Sequence, residues 1–216
     1  PAVLLHDERF LKYCFNEKIL NIIEQLIGEN FALWNSSFFA KPALNGYATP
    51  WHQDGQYWPI RPLATCSVWL AIDDTDKENA PMEFLPGSHK VGPLPWKMTD
   101  QKNPVLNQEI TGLEKFGKSY LNVLKAGDFS IHADMIAHGS LPNSSNRRRC
   151  GLTIRYCNPL LTKPLHPMYA EKSILCRGKK PTLEWSKCKT EIPENDDLSI
   201  IESNPIVDLP NPQSFH

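Results

Sequence analysis

The chain has 216 residues, of which 41% are hydrophobic and 22% charged, and this length suits one domain with a substantial core. Its net charge of −1 offers no electrostatic footprint for nucleic acid or for an anionic membrane. No apolar run approaches the roughly 18 residues of a membrane span. We therefore expect neither nucleic acid nor membrane among its partners.

The expected localisation depends on the cysteines and on the first residues of the chain. The six cysteines are scattered, without a Cys-x-x-Cys motif, so we expect reduced thiols and not a disulfide frame or a zinc site. The first residues lack the charged-then-apolar layout of a signal peptide. Both features predict a cytoplasmic protein.

One helix is predicted near the start of the chain, over residues 7–28. Apolar residues recur there at helical spacing, Asn16 fits the N-cap position, and Gly28 fits the position just past the end. We expect this helix to flank and pack against a sheet.

From residue 31 onward the sequence predicts β-strands. Short segments rich in β-branched and aromatic residues are separated by clusters of turn-forming residues. The predicted strands are residues 31–39, 65–72, 82–85, 120–124, 129–133 and 149–156. Many short strands without intervening helices indicate a mainly β sandwich or barrel, and a jelly roll closes such strands around a central cavity.

Two stretches lack the strand pattern. Residues 92–118 are polar with little periodicity, which predicts either a functional lid beside a pocket or an ordinary surface loop. The chain after residue 164 is rich in proline and charge, which predicts a wrapping or partly ordered tail. We expect a single domain over 1–216, with a helical flank at 1–30, a core at about 31–158 and a tail at 165–216.

His52 and Asp54 are the most informative residues of the chain. One residue apart on an extended backbone, their side chains point the same way and can hold one metal ion together. A third ligand would complete the two-histidine, one-carboxylate face of non-haem Fe(II) oxygenases, which leaves coordination positions open for cosubstrate and dioxygen. His138 is the best candidate for this third ligand.

A second pair, His132 and Asp134, has the same spacing and is a rival for the metal. If it were the metal pair, the histidines left downstream beyond His138 would be His166 and His216, in sequence that lacks strand character. The first pair leaves His138 downstream, on a segment with strand character. We therefore favour the first pair, and the second pair becomes a candidate for the pocket wall or for ordinary strand residues.

Seven stretches, taken in chain order, carry a family resemblance. They are PWHQDGQYWP (50–59), VWLAIDD (68–74), ENAPM (78–82), LPGSH (85–89), AGD (126–128), HGS (138–140) and RCG (149–151). In this combination the sequence resembles the phytanoyl-CoA dioxygenase family of Fe(II)- and 2-oxoglutarate-dependent oxygenases. The resemblance covers about residues 31–158, and the tail after about residue 165 matches nothing.

The resemblance implies a fold and a set of ligands. The fold would be a double-stranded β-helix, which is a kind of jelly roll. The metal ligands would be His52, Asp54 and His138, and Arg149 would hold a carboxylate of 2-oxoglutarate. Related halogenases have a small residue at the position of Asp54, so a carboxylate there favours hydroxylation.

The resemblance also implies an activity. The chain would use Fe(II), 2-oxoglutarate as cosubstrate and O2 to hydroxylate a small-molecule substrate, releasing succinate and CO2. One alternative is a non-catalytic jelly-roll module that binds a ligand, and another is desaturation or epimerisation by the same radical chemistry. The intact ligands together with Arg149 favour an enzyme, because a module without turnover has no need to keep all four.

Arg149 begins a predicted strand, so it alternates with Gly151 and Arg155 on one face. A guanidinium makes two parallel hydrogen bonds to a carboxylate, which suits the distal end of 2-oxoglutarate. Gly151 is expected to leave space for that ligand. Arg155 is expected to meet either substrate or cosubstrate, or else a structural carboxylate, while Arg147 and Arg148 are expected to form a solvated basic loop.

Further candidates follow from position relative to the ligands. Ser140 shares the facing of His138, so its hydroxyl is expected to support the same carboxylate as Arg149. Trp69 is either a core aromatic or part of the cosubstrate lining, and Asn35 is either an edge residue or an amide that touches 2-oxoglutarate, as relatives often have. The candidates for the substrate entrance are Gln56, Trp58 and Arg61, with simple packing as the alternative for Trp58.

Overall fold

The described chain forms two compact units. A computed structural model describes residues 8–101, 105–179, 181 and 183–190. The first unit, called the terminal unit, takes its described residues from Pro1–Ser37, Pro59–Cys66 and Ile154–His216. The second, called the central unit, consists of Phe38–Trp58 and Ser67–Thr153. The expectation of a single domain stays a prediction.

The described α-helices are α1 (Leu11–Cys14), α2 (Glu17–Ile27) and α3 (Pro167–Glu171). Both capping predictions for the N-terminal helix are confirmed: Asn16 Oδ1 accepts a hydrogen bond from the Lys18 amide at 3.0 Å, and Gly28 follows the helix with φ of 90°. The predicted helix was too long, because the extended backbone of Asn16, with ψ of 122°, separates α1 from α2. Across the described ranges, no helix has both the length and the apolar character needed to cross a bilayer.

The core of the terminal unit is built on one face of α2. Ile19, Leu20 and Ile23 of this helix are buried. Elsewhere in the unit, the ring of Phe31 meets that of Tyr156 edge to face at 5.9 Å, and the Tyr156 hydroxyl donates to the Cys14 carbonyl at 2.5 Å. Burying each large apolar side chain contributes about 1.5–3 kcal/mol to folding, so this core explains why the helical flank is ordered.

Strands dominate the rest of the described chain. They are β1 (Phe31–Lys41), β2 (Thr49–His52), β3 (Ile60–Arg61), β4 (Thr65–Ala71), β5 (Glu83–Phe84), β6 (Trp96–Met98), β7 (Gln108–Ile110), β8 (Tyr120–Leu121), β9 (Phe129–Ala133), β10 (His138–Ser140), β11 (Arg149–Cys157), β12 (Lys163–Pro164) and β13 (Ile174–Arg177). All six predicted strands are present, with ends shifted by at most a few residues. The mainly β prediction is confirmed.

The strands form two main sheets and two small ones. The larger sheet has the order β13-β1-β11-β4-β9, and the second has the order β2-β10-β5-β8. The two small sheets pair β12 with β3 and β6 with β7. In the second sheet β10 runs antiparallel between β2 and β5, with His138 opposite His52 on one side and opposite Phe84 on the other. This register brings together two histidines that are far apart in sequence.

Residues 92–118 are more ordered than their composition predicts. β6 and β7 lie in this segment and pair as a hairpin, with Trp96 opposite Ile110 and Met98 opposite Gln108. Buried Leu94 and Ile110 join Leu85 and Ala137 in one apolar cluster of the central unit. The segment therefore contains two paired strands that its composition did not predict, residues 102–104 lie beyond the described part, and its role as a lid or an ordinary surface loop stays a prediction.

Candidate metal centre and cosubstrate site

The three predicted metal ligands lie together in the central unit. His52 ends β2, Asp54 opens the short 3-10 turn that follows it, and His138 begins β10. Because β2 and β10 pair antiparallel with the two histidines opposite each other, their rings approach to 4.1 Å between centroids. Side chains directly opposite on an antiparallel pair share one face of the sheet, which accounts for this approach.

The ligand atoms of these three residues form a compact buried cluster. One ligand atom from each lies within 4.8 Å of the other two, and His52 Nε2 is 3.6 Å from Asp54 Oδ1. Within the described part of the chain, this is the group of three or more histidine, cysteine or acidic side chains that is arranged to hold a metal ion. That it binds iron stays a prediction.

Backbone carbonyls set the orientation of both histidine rings. His52 Nδ1 lies 2.8 Å from the Pro50 carbonyl, and His138 Nδ1 lies 3.0 Å from the Ile136 carbonyl. A carbonyl oxygen only accepts, so each Nδ1 carries a hydrogen, and the neutral tautomer that this contact favours is the one that coordinates a metal through Nε2. Burial, followed by the charge of His52, lowers the pKa of His138 well below its ordinary value. His138 is therefore held in the neutral form that coordinates metals.

The rival pair lies beside this cluster and is not part of it. His132 is buried, with Nε2 3.9 Å from Asp54 Oδ2 and its ring 5.1 Å from that of His138. Asp134 is also buried, and its backbone carbonyl accepts a hydrogen bond from the Gly55 amide at 2.8 Å. His132 thus lies next to Asp54, and the place of the pair in a pocket wall stays a prediction.

Arg149 is a buried cation at the start of β11. Its Nη2 donates to Ser140 Oγ at 3.3 Å, its Nε donates to the Ala80 carbonyl at 3.2 Å, and its guanidinium carbon lies 5.6 Å from the centre of the Trp69 ring. Burial lowers the pKa of Arg149 to about 10. Among the described side chains, no carboxylate pairs with it. A buried arginine without an anion is uncommon, and this one is suited to an anionic ligand.

The expectation for Gly151 is wrong in one respect. The space beside its Cα is not open for a ligand, because a Cβ there would lie 2.1 Å from Cζ2 of the Trp69 indole. Trp69 is 2% exposed, and its Nε1 is buried without a hydrogen-bond partner among the described residues. Gly151 therefore makes room for the indole, which in turn packs beside Arg149.

Lys41 is a buried cation that the sequence reasoning missed. It is 5% exposed, and its Nζ donates to the Leu141 carbonyl at 2.8 Å and to the Tyr47 carbonyl. Burial, followed by the positive charge of Arg149, lowers the pKa of Lys41 to about 7. The predicted strand ended at residue 39, two residues before Lys41, so no pattern in the sequence drew attention to it.

Arg147 and Arg148 are exposed as expected, but they are not simply solvated. Arg148 makes a two-pronged contact with Asp73, with both distances 2.8 Å, and Arg147 donates to Asp76 and Glu78. These ion pairs lie just before β11, next to Arg149 in sequence. They attach the start of that strand to the loop after β4.

Two candidates for the substrate entrance in the central unit have structural partners. Gln56 Nε2 donates to the Leu94 carbonyl at 2.8 Å, so this amide is occupied by the backbone before β6. Trp58 is 6% exposed, as expected for packing. The roles of Gln56 and Trp58 in binding substrate stay predictions.

The remaining candidates lie in the terminal unit. Arg155 is buried, and its Nη1 donates to Asn35 Oδ1 at 3.2 Å. Asn35 also accepts from the Ser37 hydroxyl at 3.4 Å. Arg61 is exposed and donates to the carbonyl of its neighbour Ile60 at 2.7 Å. Their contacts with substrate or cosubstrate stay predictions.

Comparison with known proteins decides the family. The family model described as phytanoyl-CoA dioxygenase (PhyH) matches residues 2–151, which contain all three ligands of the cluster and Arg149. The chain belongs to this family. The resemblance stated from the sequence motifs is confirmed.

Curated relatives of the chain include enzymes with different substrates in their names. The peroxisomal phytanoyl-CoA dioxygenase of Bos taurus is 29% identical over 159 residues, which is 70% of this chain and 47% of the relative. A probable alpha-ketoglutarate-dependent hypophosphite dioxygenase of Stutzerimonas stutzeri is 30% identical, over 65% of this chain and 50% of the relative. The chain spans about half the length of the curated relatives it matches.

Solved structures also share the fold. A non-heme monooxygenase, ThoJ, superposes with a TM-score of 0.66 and 27% identity, over 78% of this chain and 61% of that one. The alpha-ketoglutarate-dependent epimerase SnoN superposes with a TM-score of 0.62 and 20% identity, over 76% of this chain and 61% of that one. The predicted double-stranded β-helix is confirmed by these likenesses.

Proposed function

We propose that this chain is a non-haem Fe(II)- and 2-oxoglutarate-dependent dioxygenase that hydroxylates a small molecule. The overall reaction would convert R–H, O2 and 2-oxoglutarate into R–OH, succinate and CO2. The observation that carries the proposal is the combination of two buried histidines and one buried carboxylate with their ligand atoms within 4.8 Å. Two imidazoles and one carboxylate are the ligand set of this oxygenase class, and they leave positions open for cosubstrate.

The donor set fits iron in both chemistry and orientation. His52 and His138 present Nε2 because their Nδ1 atoms are engaged by carbonyls, and Asp54 supplies one anionic oxygen. When bound, the iron supplies the activation of O2, with 2-oxoglutarate as the reductant. The role of the protein is to hold this geometry and to keep the site shielded from water.

Arg149 is proposed to bind the distal carboxylate of 2-oxoglutarate. Its guanidinium is buried beside Ser140 and Trp69, and no carboxylate of the described chain neutralises it. The Trp69 Nε1 and the Ser140 hydroxyl add hydrogen-bonding capacity near the same cation. A dianion bound there would meet a charge-assisted donor in a site of low dielectric.

Hydroxylation is the proposed outcome because Asp54 keeps its carboxylate on the metal face. Both relatives described above are named as dioxygenases. A further relative, at 28% identity, is named as an L-proline trans-4-hydroxylase of Streptomyces griseoviridis. Desaturation and epimerisation begin with the same hydrogen abstraction, so they are the outcomes that product analysis must distinguish.

We also propose that the protein works in the cytoplasm. All six cysteines are free, and five of them are buried. Thiols that are not paired in disulfides are typical of proteins from reducing compartments. Fractionation of cells that express the tagged full-length protein tests this localisation, and recovery in a secreted or organellar fraction would contradict it.

The function is tested in two steps. Anaerobic addition of Fe(II) and then 2-oxoglutarate should produce the visible charge-transfer absorption of an Fe(II)–2-oxo acid chelate. A panel of small molecules, including acyl thioesters and amino acids, is then screened for O2-dependent succinate release and for products heavier by one oxygen. A protein that shows no chelate absorption and releases no succinate above a metal-free control would be the non-catalytic module.

A further inference from the structure

Gln53 lies between two of the proposed metal ligands and is fully buried. Its exposed fraction is 0%. On the extended backbone that carries His52, successive side chains alternate, so Gln53 points away from the face that His52 and Asp54 share. A buried amide on the back of a ligand-bearing strand requires hydrogen-bond partners, because burying it without them is unfavourable.

Backbone groups of two other segments satisfy this amide. Gln53 Nε2 donates to the Met135 carbonyl at 2.6 Å and to the Gly92 carbonyl at 3.1 Å, and Gln53 Oε1 accepts from the Leu94 amide at 2.8 Å. The side chain thus uses both of its donor hydrogens and its acceptor oxygen. Glutamine is the residue that offers two donors and one acceptor at this reach.

The two segments have distinct roles. Met135 lies in the turn between β9 and β10, three residues before the third ligand, His138. Gly92 and Leu94 lie at the base of the hairpin formed by β6 and β7. The Gly55 amide makes a second link to the first of these segments, through the Asp134 carbonyl at 2.8 Å.

We propose that Gln53 is a positioning residue that keeps the two ligand-bearing segments in register and fastens the base of the β6–β7 hairpin to the metal centre. The inference rests on the proposed metal site. Gln53 acts through the backbone, because all of its hydrogen bonds go to main-chain groups of other segments. Loss of this cross-link lets His138 shift relative to His52 and Asp54, and ligand atoms that are poorly oriented bind metal more weakly.

Two nearly isosteric variants test the amide. Gln53→Glu keeps the acceptor for the Leu94 amide but turns an anionic oxygen toward the carbonyls of Gly92 and Met135. Gln53→Met removes all three hydrogen bonds at similar volume. Metal affinity is measured by competition with a chelator, using Co(II) as well as Fe(II), and both variants are expected to bind roughly 10–100-fold more weakly than the wild type.

Gln56→Leu is the matched control. Gln56 also binds the segment before the hairpin, through the Leu94 carbonyl, but the structure shows no hydrogen bond from it to residues 134–138. Amide hydrogen exchange along β6 and β7 is expected to accelerate in all three variants. Exchange at residues 135–137 and the loss of metal affinity are expected only in the two Gln53 variants.

The outcomes separate this inference from the proposed function. Wild-type protein that binds neither metal would contradict the function, while hydrogen exchange would still test the cross-link. Gln53 variants that keep wild-type metal affinity and wild-type exchange at 135–137 would overturn the inference even in an active enzyme. Gln53→Asn, which keeps the amide but is shorter by one methylene, carries the same test if an isosteric variant does not fold, as judged by near-ultraviolet circular dichroism.

Discussion

Three side chains carry the proposed metal centre, and each is tested by its own alanine variant. His52→Ala, Asp54→Ala and His138→Ala should each abolish stoichiometric Fe(II) binding, because each removes one of three protein ligands. Metal content after reconstitution and desalting gives the readout. His132→Ala is the control, since His132 lies next to Asp54 but outside the cluster, and it should retain iron. Loss of iron in His132→Ala with retention in His52→Ala would favour the rival pair.

Arg149 should determine the affinity for 2-oxoglutarate and not for the metal. Arg149→Ala is expected to weaken 2-oxoglutarate binding by about 3 kcal/mol, or roughly a hundredfold, as when one partner of a desolvated ion pair is removed. Titration of the chelate absorption at saturating Fe(II) measures this loss. Arg148→Ala is the matched control, because its exposed side chain pairs with Asp73 on the surface. Equal affinities in both variants would place the carboxylate contact elsewhere.

Gly151 should tolerate no side chain, because of Trp69 and not because of a ligand. Gly151→Ala sets a Cβ against the indole at 2.1 Å and should cost about 1–3 kcal/mol in the free energy of unfolding, as overpacking does. Combining it with Trp69→Phe should recover part of that loss. Gly117→Ala, at a position with no neighbouring atom within 4 Å, should be close to neutral. Denaturant unfolding without added cosubstrate distinguishes this packing role from a ligand role.

The sequence predicts the metal ligands better than their surroundings. The pair His52 and Asp54 is visible because its chemistry depends on local spacing. The roles of Gly151 and Lys41 depend on partners that come from distant strands, so local spacing carries no signal for them. For Trp69 the sequence left two roles open, a core aromatic or part of the cosubstrate lining, because the two kinds of indole look the same in sequence.

At the scale of elements, the β6–β7 hairpin should be a stable part of the central unit. Ile110 is 4% exposed and packs with Leu85, Leu94 and Ala137, so Ile110→Ala should cost about 2–4 kcal/mol in the free energy of unfolding. Val105→Ala is the control, because Val105 is 49% exposed and should change stability by less than about 0.5 kcal/mol. Chemical denaturation measures both. Equal small effects would mean that the hairpin is not docked in solution.

The elements that the sequence predicted are those whose side-chain composition matches their burial in the fold. β1, β4 and β11 are long and rich in aromatic or β-branched residues, and all residues of β4 and β11 are buried. β6 was missed because all three of its residues are exposed, so its pairing depends on backbone hydrogen bonds. Pairing through backbone hydrogen bonds requires no periodic pattern of hydrophobic residues, so the sequence carries no signal for it.

At the scale of the whole molecule, family membership and the predicted fold agree in the motifs that carry the candidate ligands, because HQD, HGS and RCG lie at the end of β2, on β10 and at the start of β11. The register of β2 with β10 converts two separate motifs, HQD and HGS, into one ligand cluster. Sequence order alone suggested that His52 and His138 would meet, but the strand pairing, the carbonyls behind each ring and the amide of Gln53 depend on the folded backbone.

Lys41 should make global stability depend on pH. Burial lowers the pKa of Lys41 to about 7, from an ordinary value of about 10.5. Between these two pH values the unfolded chain carries this proton and the folded chain does not. The buried charge of Lys41 therefore lowers the free energy of unfolding at or below about pH 7, and this destabilisation decreases as the pH rises toward 10.5. Lys41→Met has no such proton, so the stability of the wild type relative to this variant should rise between pH 7 and 10.

The loss of donors to the Tyr47 and Leu141 carbonyls adds a constant offset in Lys41→Met, while the pH-dependent difference reports the buried charge. Urea unfolding of both proteins at several pH values gives the two curves, and the thiols titrate in both, so their contribution cancels. Bound 2-oxoglutarate, a dianion proposed to pair with nearby Arg149, should flatten the difference by favouring the charged form of Lys41. If the two curves of unfolding free energy against pH stay parallel without cosubstrate, burial does not lower the pKa of Lys41, and this prediction is wrong.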